Sequence, residues 1–249
     1  MVWSLALKKA QTMILRLLLL FLSLSIYSNE SIFEKIDDTS NVFQAGLILS
    51  GLESGVHYLE SKNEKQTELV IAIHGGGSLG YEWVYPLQQL NSPTNLVSYY
   101  RWQPLALNCL SDDIDNLKKF LEQNVESYES ILILGHSLGG ILLGKVLEIL
   151  ETNVEVDAHI IASPLAGISP TNTLCNYEPP KMTKDNIKLD EWRTIKKLDG
   201  VYLALPYDPQ IVDIKGSTVT RLPEEYNGNK LGHNLSLIHI SEPTRHRRI

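Results

Sequence analysis

The run Ile131-Leu132-Ile133-Leu134-Gly135-His136-Ser137-Leu138-Gly139-Gly140 constrains this chain more than any other stretch. Its first four residues are apolar and half of them β-branched, which reads as a buried parallel strand. Ile141 to Leu150 then carry apolar residues at a helical period. Between strand and helix, Gly135 to Gly139 spell G-x-S-x-G. A turn this short strains the backbone at Ser137, and a side chain at position 135 or 139 would clash within it. The Ser137 hydroxyl is then lifted clear of the sheet, with the N-terminus of the next helix behind it.

A second strand is legible in Leu69-Val70-Ile71-Ala72-Ile73, which runs into His74-Gly75-Gly76-Gly77-Ser78-Leu79-Gly80. A phosphate-cradling loop is one reading of those glycines, but no Lys-Ser/Thr pair closes the loop. On the G-H-S-L-G-G turn and the H-G-G-G turn, the chain resembles the α/β-hydrolases, among whose lipases and esterases both forms are common. The resemblance runs from Glu68 to His233. It implies an α/β fold with a mostly parallel central sheet, helices on both faces and a small lid or none. It also implies that the backbone N–H groups of Gly76 and Leu138 form an oxyanion hole, with Gly77 as the alternative for the first, and that His74 is structural.

The remaining triad members follow from chain order. Val201-Tyr202-Leu203-Ala204-Leu205-Pro206 reads as a strand, and Asp208 follows it. By resemblance Asp208 is the expected triad acid, with Asp213 as the alternative; a turn-forming Asp before Pro is the plainer reading. Ser217 to Leu222 form a last β-branched strand, and a polar loop then reaches His233. The order Ser137, Asp208, His233 is the one this fold uses, whereas His57 and His159 fall outside that window. Ser163 lacks the glycine-flanked turn that a nucleophile would need.

Other segments carry weaker signals. Gly55 to Glu60 suit a short early strand, Tyr81 to Leu90 a helix, and Leu96 to Tyr100 a strand. Arg101 follows that strand, where it would hold a substrate anion or, more simply, serve a structural pair. Asp112 to Glu126 form an amphipathic helix with Ile114, Leu117, Leu121 and Val125 on one face and Ser111 as its cap. His159 to Ala162 make a further strand. Ile168 to Gly200, richer in Pro, Asn, Thr and Lys, are expected to form a small lid.

The chain has 249 residues, 43% hydrophobic and 20% charged, which suits one globular domain with a sizeable core. Its net charge of −7 argues against a nucleic-acid partner. Cys109 and Cys175 lack the close spacing of a metal site. They would pair in an oxidising compartment and remain thiols in the cytosol. No metal or organic cofactor is expected.

Both ends differ from the middle. Residues 1–28 place Lys8, Lys9 and Arg16 before an apolar run and small residues, as a secretory signal peptide does. Met13 is an alternative start, and an uncleaved membrane anchor is the competing reading. Either puts the domain at 29–234 outside the cytoplasm: secreted, periplasmic or membrane-anchored. Residues 235–249 resemble translated sequencing-adapter DNA, so the basic run at Arg245 to Arg248 is set aside as non-native, and the natural chain is expected to diverge near Asn234 and to carry a further helix. The function this implies is a serine hydrolase cleaving small-molecule or lipid carboxylic esters through an acyl-enzyme. A peptidase or amidase on the same fold, or a non-catalytic binding protein, are the alternatives.

Overall fold

A computed structural model describes residues 30–37, 39, 41–103, 109–169, 171–234 and 236–237. The expected signal segment and nearly all of the expected non-native tail lie outside the described residues. The chain divides into a unit at residues 1–31 and a second at residues 32–249, and the second contains the sheet.

Its centre is a seven-stranded sheet. In chain order the strands are β1 (Gly55–Tyr58), β2 (Glu68–Ile73), β3 (Asn95–Arg101), β4 (Ser130–His136), β5 (Val156–Ile161), β6 (Ile187–Arg193) and β7 (Ser217–Arg221). In space they run β1-β3-β2-β4-β5-β6-β7. All neighbours are parallel except β1, which pairs antiparallel with β3 at the edge. After β2 the chain steps outward to β3, then returns to lay β4 on the other flank of β2. Ligands bind at such a reversal, outside the carboxyl ends of the strands. The register Ile73↔Gly135 brings the H-G-G-G turn and the Ser137 turn side by side there.

Both faces of the sheet are covered, which is why β2 and β4 read as unbroken apolar runs. Leu69, Ile71, Ile73, Ile131 and Ile133 point to one face, where helices α4 (Ser111–Asn124) and α5 (Leu138–Ile149) pack through Leu117, Leu121, Leu142 and Val146. Val70, Ala72, Leu132 and Leu134 point to the other, against α1 (Ile32–Asp37), α2 (Val42–Ser50) and α3 (Tyr81–Leu90) through Phe33, Leu49, Trp83 and Leu87. The predicted amphipathic face of α4 is buried at Leu117, Leu121 and Val125. Its cap differs from expectation: Ser111 is the first helical residue, and the cap is Leu110, in a left-handed conformation with φ 65°.

The largest departure lies between residues 168 and 206. The segment expected to be a lid contains, among the described residues, one short α-helix, α6 (Thr171–Leu174), then delivers strand β6 into the sheet and ends in a 3-10 turn at Lys196–Leu198. The predicted strand at 201–206 is instead a succession of turns, with Val201 and Leu203 more than half exposed (54% and 57%). Charge hid the true strand. Ile187-Lys188-Leu189-Asp190-Glu191-Trp192-Arg193 pairs its ions and buries three of them: Arg193 meets Glu191 at 2.7 Å, both buried, and the exposed Lys188 meets the buried Asp190 at 2.9 Å. Ser217 Oγ donates to Glu191 Oε1 and Arg193 donates to the Val212 carbonyl, both at 2.6 Å. A buried ion survives when its charge and its lone pairs are all engaged.

Two glycines of α5 separate tight contact from open space. A Cβ on Gly139 would stand 2.3 Å from the His74 carbonyl oxygen and 2.7 Å from that of Ile73, whereas one on Gly144 would meet nothing nearer than Pro180 Cγ at 3.4 Å. Gly139→Ala is expected to destabilise the protein by about 2–4 kcal/mol, because backbone must move. Gly144→Ala is expected to stay within about 1 kcal/mol of the parent, helped by alanine's helix propensity. Urea unfolding of the two variants measures the contrast.

Candidate active site

Ser137 joins β4 to α5 with φ 52° and ψ −124°, a conformation that costs a non-glycine residue of order 1–3 kcal/mol. Two backbone bonds hold it there: its N–H donates to the Ile161 carbonyl at 2.9 Å, and the Gly140 N–H donates to its own carbonyl at 2.9 Å. The expected crowding at the flanking glycines is present, since a Cβ on Gly135 would lie 2.8 Å from the Gly139 oxygen. Leu138 opens α5, so its N–H has no acceptor inside the helix.

The glycine turn lies against this bend. Gly75 approaches so closely that a Cβ there would stand 3.0 Å from Ser137 Cβ and 3.2 Å from His136 Nδ1. The chain then reverses over Gly76 and Gly77, with Ser78 N–H donating to the Gly75 carbonyl at 3.4 Å and Gly77 at φ +64°, as a type II turn needs. Gly76, Gly77, Ser137 and Leu138 line one cavity wall together.

His74 fastens the turn. Its Nε2 accepts from Arg101 Nη1 at 2.9 Å and from the Trp102 N–H at 3.2 Å, so the proton sits on Nδ1 and is donated to the Gly75 carbonyl at 2.7 Å. Its ring stacks on Trp102 with centroids 5.0 Å apart. Burial, together with the nearby Arg101 cation, lowers its pKa to about 4 despite the Gly75 bond. Arg101 also donates to the Ser50 and Trp102 carbonyls, at 3.1 and 2.6 Å, so it is structural rather than an anion clamp.

His233 arrives on the loop after β7. Its Nδ1 lies 3.0 Å from a carboxylate oxygen, but the carboxylate is that of Asp199, not Asp208. Asp199 is fully buried and also accepts from Thr194 Oγ1 at 2.6 Å, Val201 N–H at 3.0 Å and Tyr202 N–H at 3.2 Å. Burial pushes its pKa up, but these donors outweigh it, His233 first, and hold the group below the usual carboxylate range. The correction follows from the strand reassignment. β6 ends at Arg193, and the first acid beyond it is Asp199; the chain order serine, carboxylate, histidine is unchanged. Asp208 instead pairs with Arg221 at 3.2 Å and accepts from Gln210 Nε2 at 3.0 Å. Gln210 in turn grips the Thr194 backbone through both ends of its amide, at 2.8 and 3.1 Å. Asp208 thus braces the residue that donates to Asp199. Asp213 is exposed.

Two further residues escaped sequence reasoning. His136 Nε2–H donates to the His233 carbonyl at 3.0 Å, and the two rings stand 4.8 Å apart. It ties the end of β4 to the histidine loop. Tyr202 packs edge-on to the His233 ring at 5.0 Å, donates to the Ala162 carbonyl at 2.6 Å, and presents its hydroxyl to Ser137. The only sequence hint for either was adjacency, to Ser137 in one case and to an apolar run in the other. Ser137 and His233 line one cavity with Gly75 and Gly76.

The sheet, the elbow after its central strand and the late histidine decide the architecture. The fold is that of the α/β-hydrolases. No family model matches the chain and no curated protein matches it. Solved structures similar to this chain include a lipase-esterase related protein from Clostridium acetobutylicum, with 13% identity over 78% of this chain and 98% of that chain and a TM-score of 0.46. Est1E from Butyrivibrio proteoclasticus shares 14% identity over 78% and 98%, with a TM-score of 0.48. An esterase from Exiguobacterium antarcticum shares 12% over 78% and 92%, with a TM-score of 0.45.

Cys109 and Cys175, left open by the sequence, are bonded to each other. Asp157, His159 and Asp190 form a cluster that superficially suits a cation. Lys188 Nζ fills it instead, 3.1 Å from Asp157 and 2.9 Å from Asp190. Trp192 Nε1–H donates to His159 Nδ1 at 2.8 Å, leaving the proton on the Nε2 that faces Asp157. The nitrogen a metal would need is not a free lone pair.

His136, wholly enclosed, has its pKa lowered to about 3, by burial first and then by the neighbouring His233. With His74 at about 4, both are neutral in the folded state well below the unfolded value of 6.5. Their stabilisation is complete above pH 6.5 and is lost as pH falls toward those values. Between pH 7.5 and pH 5 each is expected to remove about 2 kcal/mol of folding stability. Urea titrations at the two pH values check this, and His74→Gln should flatten the dependence.

Proposed function

We propose that this protein is a serine hydrolase that cleaves carboxylic esters through an acyl-enzyme. The observation carrying the reading is the 3.0 Å bond from His233 Nδ1 to the buried Asp199, beside a cavity that His233 shares with Ser137. With Nδ1–H given to Asp199, the Nε2 lone pair of His233 is the base. It takes the Ser137 proton as Oγ attacks the ester carbonyl carbon. The N–H groups of Gly76 and Leu138 hold the oxyanion. The imidazolium, stabilised by Asp199, hands its proton to the departing alkoxide. Water, deprotonated by the same nitrogen, then releases the acid and restores Ser137. Tyr202 and His136 keep the imidazole in place, and the neutral His136 adds no cation beside it.

The same reading sets the protein outside the cytoplasm, with small-molecule or lipid esters as substrates. The Cys109–Cys175 bond and the basic-then-apolar segment at 1–28 support that location.

A fluorophosphonate probe is expected to label the protein, and Ser137→Ala to abolish labelling. Labelling of a folded Ser137→Ala protein would sink the assignment. Asp199→Asn is expected to lower kcat by about 10³–10⁴-fold, against less than about tenfold for Asp208→Asn. The reverse ranking, read from p-nitrophenyl ester hydrolysis, would return the acid role to Asp208.

A further inference from the structure

Two chambers meet at Ser137, and they differ in chemistry. The larger, about 860 Å³, starts at Gly76, Gly77, Ser137 and Leu138. It runs between Leu110, Ile114, Ile141, Ile168 and Leu174, with the Cys109–Cys175 bond in its wall. Its cation, Lys145, is paired with Glu148. The smaller, about 250 Å³, shares Gly76, Gly77 and Ser137 but is bounded by Ser78, Tyr81, Glu82, His233 and Asn234. Among the described residues, His233 lines the smaller chamber and not the larger.

We propose that the substrates are esters of a long apolar acid with a small hydroxyl-bearing alcohol, the acyl chain in the larger chamber and the alcohol in the smaller. The inference rests on the ester-hydrolase reading above. When the ester C–O bond breaks, the acyl carbon stays on Ser137 Oγ and the alkoxide takes the proton that His233 removed from Ser137. The alcohol must therefore depart on the imidazole side. The acyl chain is left with the other side, where Leu138 supplies an oxyanion donor and the walls are apolar. Each methylene removed from water there is worth about fourfold in binding.

The smaller chamber selects against an apolar or anionic alcohol. Glu82 Oε1 accepts from the Ser78 hydroxyl, while its Oε2 is buried without a hydrogen-bond partner among the described residues. Ser78, Tyr81 and Asn234 bring hydroxyl and amide groups to the chamber wall, and a hydroxyl on the alcohol can bond to groups of that kind. Tyr81 and Asn234 of this chamber are joined by a bond from Asn234 Nδ2 to the Tyr81 hydroxyl at 3.0 Å, while His136 and His233 add polar lining and Leu79 and Val201 apolar lining. No lysine or arginine lines it among the described residues.

The test is kcat/KM of the full chain for octanoylglycerol, acetylglycerol and octyl acetate below their micelle concentrations. Octanoylglycerol is expected to exceed each of the others by at least about 100-fold. Ile168→Trp, which fills the larger chamber, is expected to cut the octanoyl-over-acetyl ratio about tenfold, with far-UV circular dichroism confirming the fold. Octyl acetate matching octanoylglycerol, or a ratio untouched in the folded Ile168→Trp protein, overturns the chamber assignment while leaving the hydrolase reading intact. Failure of all three esters together with absent fluorophosphonate labelling overturns the hydrolase reading and the assignment with it.

Discussion

Gly139, in the first turn of α5, rests directly on the carbonyls of Ile73 and His74, with no room for a single carbon between them. That contact between the start of a helix and the end of a neighbouring strand is what the site depends on. It presses the elbow against β2 and so holds Ser137 at its unfavourable φ, and it aligns the glycine turn beside the hydroxyl. The strain of one residue is sustained because the parallel ladder of β2 and β4 and two helices packed over it over-determine the backbone.

Around that contact the protein buries polar groups in closed sets. His74 has both ring nitrogens bonded, and its proton position follows from which neighbours donate to it. Asp199 receives four donors, and the chain of support continues outward through Thr194 and Gln210 to Asp208 and Arg221. Each group would be costly in isolation and is stable within its network. Not every buried polar atom is matched. Beside Ser137, His136 keeps a buried Nδ1 without a partner among the described residues, as does Glu82 at its Oε2. Partial satisfaction of this kind collects where a reaction needs groups held ready rather than neutralised.

Apolar periodicity and glycine spacing made much of this legible in advance. The strands at 68–73, 95–101 and 130–136, the elbow at Ser137, the glycine turn and the late histidine were each carried by residues whose local requirement is strong. An unbroken β-branched run tolerates few alternatives to a buried strand. A glycine with backbone 2.3 Å from its missing Cβ tolerates no substitute. The same logic misread 201–206, where apolar residues are exposed at the mouth of the site, and 187–193, where Asp190, Glu191 and Arg193 are buried.

The amino-acid sequence alone determined the hydrolase architecture, the nucleophile candidate and the order in which the three site residues come. Only the tertiary structure decided which carboxylate meets His233, that Cys109 and Cys175 join across 66 residues, and that two unlike chambers flank Ser137. The reason is one of range. A strained turn or a buried strand is specified by neighbours in the chain. The burial of a charge is specified by partners far from it, so β6 could be recognised only with Ser217 and Val212 already beside it.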